Sequence, residues 1–455
     1  MTENNLGIDI QIWQWALLIA ISVLLFIVSP WAHTSTDFFK GTKNKQQPDV
    51  SLLTASLVIS WLFAKSITNA ADLGFSFGML GGVAYAAYYL SFLVAGVVIY
   101  QLRVKGGYSS IHQFLLTKYG QVATGLFSLL IVFRLFNEVW SNSMVIGSYF
   151  GAAGSSAYYW AIGVFTALTL AYTIKGGMRS SLLTDLIQMG LFVVLLTLIL
   201  GFILPATPSG AAGLIKEGSW TLDQGGNLLL VAILQSISYP FHDPVMTDRG
   251  FISPPKHTLT SFIWAAIIGG FAIILFSWVG IFGRITDSVS PVVPAVARLF
   301  GAPMLLLINL IMVTSAASTI DSTLTSATKL LHADVLQQAE PEVSTGRLTM
   351  IIVTILGTIP IFFNPAILSA TTISGTMVLG LAPVFLFWKL QVPKISYFLS
   401  IIAGLLAGLW LIFVPISDSY LISFGKYADL LTVNIIGSLL AFTGFLIPYW
   451  LKKKV

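Results

Sequence analysis

The chain has 455 residues, of which 56% are hydrophobic and only 9% are charged. Soluble globular proteins contain about 25% charged residues, so most of this surface must face something other than water. The absence of cysteine excludes disulfides, thiolate metal sites and cysteine nucleophiles. The net charge of +5 belongs to no soluble basic segment, so we expect no nucleic-acid partner.

Thirteen stretches of the chain are long and apolar enough to cross a bilayer as helices, which takes about 20 residues. The first is too long for a removable signal peptide and lacks a cleavage signal. No linker is long enough to separate domains, which predicts a single membrane domain, 1–455, embedded in the lipid bilayer. In chain order the stretches are 11–32, 52–73, 79–102, 121–149, 157–174, 181–204, 227–246, 258–282, 302–331, 347–364, 367–388, 395–415 and 428–450.

The basic residues outside these spans predict the orientation, because cytoplasmic loops are enriched in lysine and arginine. With the N-terminus outside, sixteen fall on the cytoplasmic side and four on the outer side. The four outer residues are Lys216, Arg284, Arg298 and Lys426. We therefore expect a multi-pass protein of the cell (inner) membrane with its N-terminus outside and its C-terminus in the cytoplasm.

Two spans are interrupted, and broken helices are the best sequence indication of a transport site. The second, "LLTASLVISWLFAKSITNAADLGFSFG", turns polar from Lys65 to Asp72. The seventh breaks at Pro240 and Pro244, because proline removes a backbone donor and kinks a helix.

The two interrupted helices lie five spans apart and therefore cross in opposite directions. Two inverted repeats would have this relation, with 52–204 (spans 2–6) as the first and 227–388 (spans 7–11) as the second. That division leaves 11–32 as an extra first helix and 395–450 as two peripheral helices.

The ninth span continues into "VTSAASTIDSTLTSATKLL", which has nine hydroxyl residues and one aspartate in nineteen positions. Ser315, Ser318, Thr319 and Ser322 follow the i, i+3, i+4, i+7 pattern and form one stripe on a helix. Neutral oxygens of this kind suit a small hard cation such as Na⁺. Alternatively, the hydroxyls bond back to their own helix or join neighbouring helices. The stripe beside Asp321 favours an ion site.

Three segments resemble the sodium/solute symporter family, which includes sodium–glucose, sodium–proline and sodium–sialic acid carriers. The segment "SAASTIDSTLTSATKLLHADV" resembles the sodium-binding helix of the family. The segment "YTIKGGMRSSLLTDLIQ" resembles its glycine-glycine turn before a Thr-Asp-x-x-Gln helix, and "FHDPVMTDRG" resembles its Gly-Gln-Pro-His…Arg segment. The resemblance implies an all-α, LeuT-like fold with two inverted five-helix repeats and alternating access.

The resemblance also implies an ion site. Its sodium ligands would be backbone carbonyls of the first core helix and oxygens of the eighth, namely Ala64, Ile67, Ser315, Ser318 and Thr319. Asp185 matches an aspartate that serves a second sodium, or the inner exit, in some members, and Ser322 would be its partner. Lys65 directly follows a sodium-ligating position, which makes it a candidate for the coupling group.

Polar residues near the mid-membrane are candidates for solute contact. They are Asn69, Asp72, Tyr85, Tyr88, Tyr89, Arg134, Glu138, Asn142 and Tyr239, with Ser369, Thr371, Thr372 and Ser374 on the eleventh span. Arg134 and Glu138, at i and i+4, either pair with each other or contact a zwitterionic solute. Asp72 either attracts a cationic amine or caps the half-helix beyond the break. The tyrosines replace a glutamate of the sugar carriers, which disfavours galactose.

Lys65 allows two interpretations. Its ammonium group either points into the ion cage and replaces sodium, or points away towards Asp72 or a water-filled vestibule. We favour the second, because the ligands from Ala64 and Ile67 would be carbonyls and adjacent helical side chains project about 100° apart.

These observations predict a secondary active transporter, not an enzyme, that couples Na⁺ entry to symport of an amino acid, carboxylate, amine or similar solute. The expected partners are that solute and Na⁺, with no cofactor and no obligate protein partner. The alternative is a proton-coupled or uncoupled carrier in which Lys65 substitutes for sodium. A membrane sensor module is the third interpretation.

Overall fold

The polar ends and breaks of the apolar stretches delimit helices in the computed structural model, which describes residues 10–42, 46–363 and 367–453. Asp49, for example, begins a helix by accepting a hydrogen bond from Leu52 N at 2.8 Å, and Asp243 begins another by accepting one from Met246 N at 3.0 Å. Such caps satisfy backbone donors that a helix leaves unpaired at its first turn.

The helices fall into two groups along the chain. The first group is α1 Ile10–Val28, α2 Ser35–Lys40, α3 Val50–Trp61, α4 Ala64–Phe77, α5 Met79–Ala86, α6 Leu90–Val104, α7 Ile111–Tyr119, α8 Gln121–Phe150, α9 Ser156–Gly176, α10 Met178–Ala206 and α11 Ala211–Lys216. The second group is α12 Asn227–Gln235, α13 Pro244–Arg249, α14 Pro255–Ile285, α15 Val292–Leu299, α16 Ala302–Lys329, α17 Val343–Thr358, α18 Ile367–Met377, α19 Leu381–Leu386, α20 Lys394–Phe413 and α21 Ala428–Lys453.

Ten helical stretches among the described residues are long and apolar enough to cross a membrane. The number rises to eleven if a bent pair of helices is counted as one further span. The predicted seventh and eleventh spans coincide with helices that are each divided in two, α12 with α13 and α18 with α19. A multi-pass membrane protein is therefore supported, while the count of thirteen spans stays a prediction.

Both predicted interruptions are present. The helices α3 and α4 form the bent pair, with an angle of 59° between them. Between α12 and α13 the chain runs through a short 3₁₀ turn, Tyr239–His242, and leaves it at Pro244. Pro240 and Pro244 lack backbone donors, which explains why no continuous helix forms here.

The helix α16 lies at the centre of the molecule. Every residue from Ile311 to Thr328 is buried, although many of them are polar. The helices α3, α4, α8, α9, α10, α13 and α17 all contact it. A helix that is buried all round, like this one, belongs to the core, so the hydroxyl stripe faces other helices rather than lipid.

The helix α14 approaches α4 unusually closely, at two glycines. A Cβ atom on Gly280 would lie 1.7 Å from Ala71 O, and one on Gly74 would lie 2.4 Å from Ser277 O. Glycine is required at both positions because a side chain would collide with the facing backbone. Small residues therefore lock α14 against the half of the broken helix that follows the bend.

Candidate ion and solute site

The hydroxyl stripe of α16 lies against the bend between α3 and α4. The Thr319 hydroxyl donates to Ser315 O at 3.1 Å and lies 3.4 Å from Ser60 O, a carbonyl in the last turn of α3. The Ser315 hydroxyl is buried and has no hydrogen-bond partner among the described residues. A buried hydroxyl without a partner calls for a ligand or a water molecule. The sequence identified the stripe but not the contribution of Ser60.

Ala64 and Ile67 lie in the first turn of α4, and both are fully buried. The Ala64 carbonyl accepts a hydrogen bond from the Thr68 hydroxyl at 3.0 Å. Phe63 precedes α4 without a side-chain cap. The structure thus places both predicted ligand positions directly after the break, on a helix that contacts α16.

A second group of polar side chains surrounds Asp185 on α10. The Asp185 carboxylate accepts hydrogen bonds from Ser318 and Ser56, each at 2.5 Å, and Arg249 forms an ion pair with it at 3.4 Å. Arg249 also donates to Ser322 at 2.8 Å. The structure brings Asp185 and Ser322 together as predicted, and it adds a fully buried guanidinium group between them.

Asp321 is a second buried carboxylate in this region. It accepts hydrogen bonds from Tyr172 and Ser181, each at 2.7 Å, and from Thr184 at 3.0 Å. The salt bridges of the described residues include none to Asp321. Hydroxyl donors rather than a basic side chain therefore solvate this carboxylate.

Four charged side chains form a continuous chain beside the bend, which we call the charge chain: Lys65, Glu138, Arg134 and Asp243. Lys65 Nζ lies 2.9 Å from Glu138, Arg134 pairs with the same carboxylate, and the second terminal nitrogen of Arg134 lies 3.2 Å from Asp243. All four side chains are buried. Two cations and two anions compensate each other, as charges in a membrane interior require.

The charge chain corrects the expected partner of Lys65. The ammonium group points away from the hydroxyl stripe, but it contacts Glu138 and Asn137 on α8, each at 2.9 Å, rather than Asp72 or a water-filled vestibule. The reason is that α8 packs against α4 and presents the Glu138 carboxylate to this position. An enclosed ion pair, rather than water, therefore stabilises the ammonium charge.

Of the two roles considered for Asp72, capping of the half-helix is wrong. Asp72 lies in the middle of α4, which begins at Ala64, so it is too far along the helix to satisfy the free donors of the first turn. Its alternative role, attraction of a cationic amine, stays a prediction.

Aromatic residues line a small cavity beside the bend and the charge chain. Its lining consists of Trp61, Phe63, Ser66, Tyr85, Tyr88, Tyr89, Arg134 and Tyr239. Four of the predicted solute-contacting residues on α5, its following turn and the seventh-span break therefore meet at one place, together with Arg134. Trp61 was not identified from the sequence, because a tryptophan in an apolar span resembles any other core residue.

The remaining solute candidates have other partners. Asn69 donates to the Tyr85 hydroxyl at 3.3 Å, next to the cavity, and Asn142 donates to Glu138 at 3.0 Å. The carbonyl of Thr372 accepts from Gln235 at 3.1 Å. The side chains of Ser369 and Thr371 lie outside the described residues.

No family model matches the chain. Two curated relatives match at low identity: the urea active transporter of Saccharomyces cerevisiae (22% over 253 residues, 49% of this chain) and the sodium-coupled monocarboxylate transporter 1 of Xenopus laevis (23% over 321 residues, 68% of this chain). The matched regions span only 32% and 46% of the length of those relatives.

Solved structures resemble the chain over almost its whole length. A Na⁺-coupled sialic acid symporter in a substrate-bound outward-open state superposes with a TM-score of 0.73 at 16% identity, covering 96% of this chain and 97% of that one. A nucleobase-cation-symport-1 family transporter, closed with bromovinylhydantoin bound, superposes with a TM-score of 0.57 at 13% identity. The match covers 94% of this chain and 96% of that one. MhsT in complex with L-phenylalanine superposes with a TM-score of 0.57 at 15% identity, and the match covers 89% of this chain and 99% of that one.

These likenesses show the fold, which is the all-α, LeuT-like fold expected from the sequence. The motifs on α10, α13 and α16 resemble the sodium/solute symporter family, and the curated and structural matches, all below 25% identity, agree with that resemblance.

Proposed function

We propose that the chain is a secondary active transporter that couples Na⁺ movement to the symport of a small organic solute by alternating access. The observation that carries the proposal is the hydroxyl stripe of α16 against the bend of α3 and α4, with Ser315 Oγ buried and unpartnered. The names of two similar proteins, a sodium-coupled monocarboxylate transporter and a Na⁺-coupled sialic acid symporter, support the choice of ion.

In this proposal Na⁺ binds between the break and the stripe. Its ligands are the carbonyls of Ala64 and Ile67, the hydroxyls of Ser318 and Thr319, and an oxygen of Ser315. The Ser318 hydroxyl donates a hydrogen bond to Asp185, which leaves the lone pairs of its oxygen free for a cation. Asp185 and Ser322 lie beyond this position and provide either a second ion site or the exit path.

The position of Lys65 favours sodium over the alternative carrier. Its ammonium group is bound to Glu138 and Asn137, away from the stripe, so it leaves the proposed cage free of positive charge. We further propose location in the cell (inner) membrane with the N-terminus outside, and division of the core into the repeats 52–204 and 227–388.

Removal of two stripe hydroxyls tests the sodium site. We expect Ser318→Ala/Thr319→Ala to fold, because alanine is a good helix former, and to lose about 1–3 kcal/mol of sodium binding, the usual cost of an unpaired buried polar group. The measurement is the thermal stability of purified protein as NaCl replaces KCl, with binding shown by stabilisation.

The matched control is Thr325→Ala/Thr328→Ala, which removes two hydroxyls of the same helix that bond only to carbonyls of that helix among the described contacts. This variant should respond to sodium as the parent does. A parental sodium response in Ser318→Ala/Thr319→Ala would mean that the stripe joins helices and binds no ion.

A further inference from the structure

Trp61 Nε1 and Arg134 Nε, on residues that line the aromatic cavity, have no hydrogen-bond acceptor among the described residues. Trp61 is 4% exposed and Arg134 3%, so bulk water does not satisfy them. The terminal nitrogens of Arg134 pair with Glu138 and Asp243, and Nε takes part in neither pair. Buried donors are normally paired, and each exception needs an explanation.

Three of the four tyrosines that line the same cavity donate their hydroxyl hydrogens to protein acceptors. Tyr85 donates to Ser66, Tyr88 donates to Gln235, and Tyr89 donates to the Trp61 carbonyl. A tryptophan N–H and an arginine N–H are donors only and accept nothing. A solute that enters this cavity should therefore present an acceptor oxygen to these two groups.

The charge chain restricts the charge of that solute. Its two cations and two anions already compensate each other at the wall of the cavity. A carboxylate would add a negative charge to this neutral wall and would depend on the Na⁺ of the proposed function for compensation, because an uncompensated buried charge is strongly unfavourable. An uncharged acceptor avoids this cost.

We propose that the solute is a small molecule without net charge whose carbonyl oxygen, as in an amide or a urea derivative, accepts hydrogen bonds from Trp61 and Arg134. A carbonyl oxygen has two lone pairs and serves two donors at once. Its planar group packs against the aromatic walls, which include Tyr88 and Tyr239. This assignment rests on the proposed function and names the solute class of the same transporter.

Matched pairs of compounds test the assignment on the purified full-length protein. The probes are acetamide with acetate, propionamide with propionate, benzamide with benzoate, and urea, each titrated in NaCl and in KCl while thermal unfolding is followed. We expect amides or urea to raise the unfolding temperature in NaCl, and the matched carboxylates to leave it unchanged.

Trp61→Phe keeps an aromatic ring and removes only the N–H donor. We expect it to weaken the apparent affinity for the best amide by about tenfold, the effect of one lost hydrogen bond, while the response to NaCl alone is kept. The matched control is Trp278→Phe, which also removes a buried N–H without an acceptor but lies outside the lining of this cavity.

Stabilisation by carboxylates but not by their amides would overturn the assignment, as would a sodium response with no stabilisation by any amide or urea. A parental amide affinity in Trp61→Phe would overturn the role of Trp61. These outcomes leave sodium coupling intact. Loss of the sodium response in the unaltered protein would instead contradict the proposed function, whichever compounds bind.

Discussion

Replacing Glu138 with glutamine should destabilise the protein by about 3–5 kcal/mol, the usual cost of breaking a buried ion pair. Glu138 contacts both Lys65 and Arg134. Without its charge, two buried cations share the single anion Asp243, and the membrane interior provides no water to solvate the excess. The measurement is the unfolding temperature or the denaturant midpoint of purified protein.

A second substitution separates charge balance from packing. Lys65→Met combined with Glu138→Gln leaves only the pair of Arg134 and Asp243, which is neutral, so we expect this double variant to recover most of the lost stability. Glu217→Gln is the control, because Glu217 pairs with Arg284 at 3.0 Å while both side chains are about one third exposed. Exposed pairs contribute about 0–1 kcal/mol.

A Glu138→Gln variant that unfolds like Glu217→Gln would contradict this prediction. If Glu138→Gln and the double variant lose the same amount of stability, hydrogen-bond geometry and not net charge determines the stability of the charge chain.

Arg249→Met should be at least as damaging in potassium medium, again by about 3–5 kcal/mol. The guanidinium group is the basic partner of Asp185, and Asp321 lies in the same cluster through Ser181 and Ser322. Removing it leaves two buried carboxylates surrounded by hydroxyl groups, and the shorter methionine leaves space near them. Hard oxygens in this arrangement suit Na⁺.

We therefore expect NaCl to restore more stability to Arg249→Met than it adds to the parent protein, measured as the difference in unfolding temperature between NaCl and KCl. Arg249→Met/Asp185→Asn is the control, since it removes one of the two carboxylates together with their cation. That variant should be less destabilised in KCl and should lose the additional sodium response. The same difference in unfolding temperature between NaCl and KCl in all three proteins would refute the prediction.

Local features of the sequence predicted the elements of the site. Proline chemistry marks the break at Pro240 and Pro244, and helical periodicity places Ser315, Ser318 and Thr319 on one face of α16. Neither feature depends on distant parts of the chain, so both could be read before the helices were assembled.

The partners of buried charges could not be predicted in the same way. Lys65 meets Glu138 across 73 positions of sequence, and Arg249 meets Asp185 across 64. Such pairs depend on how α4, α8, α10 and α13 rotate against each other, which apolar periodicity in a buried helix does not specify. The donor of Trp61 was missed for a related reason, since only the packed structure shows that it has no acceptor.

The glycine contacts between α4 and α14 also have a mechanical consequence. With Gly280 against Ala71 O and Gly74 against Ser277 O, neither helix can rotate about its axis or slide without driving backbone into backbone. We therefore expect the two helices to move together as one rigid unit, with Leu62 and Phe63 at the bend as its hinge. A swing of that unit would carry Ala64 and Ile67 relative to α3, so the geometry of the ion ligands and the movement of the helices would change together.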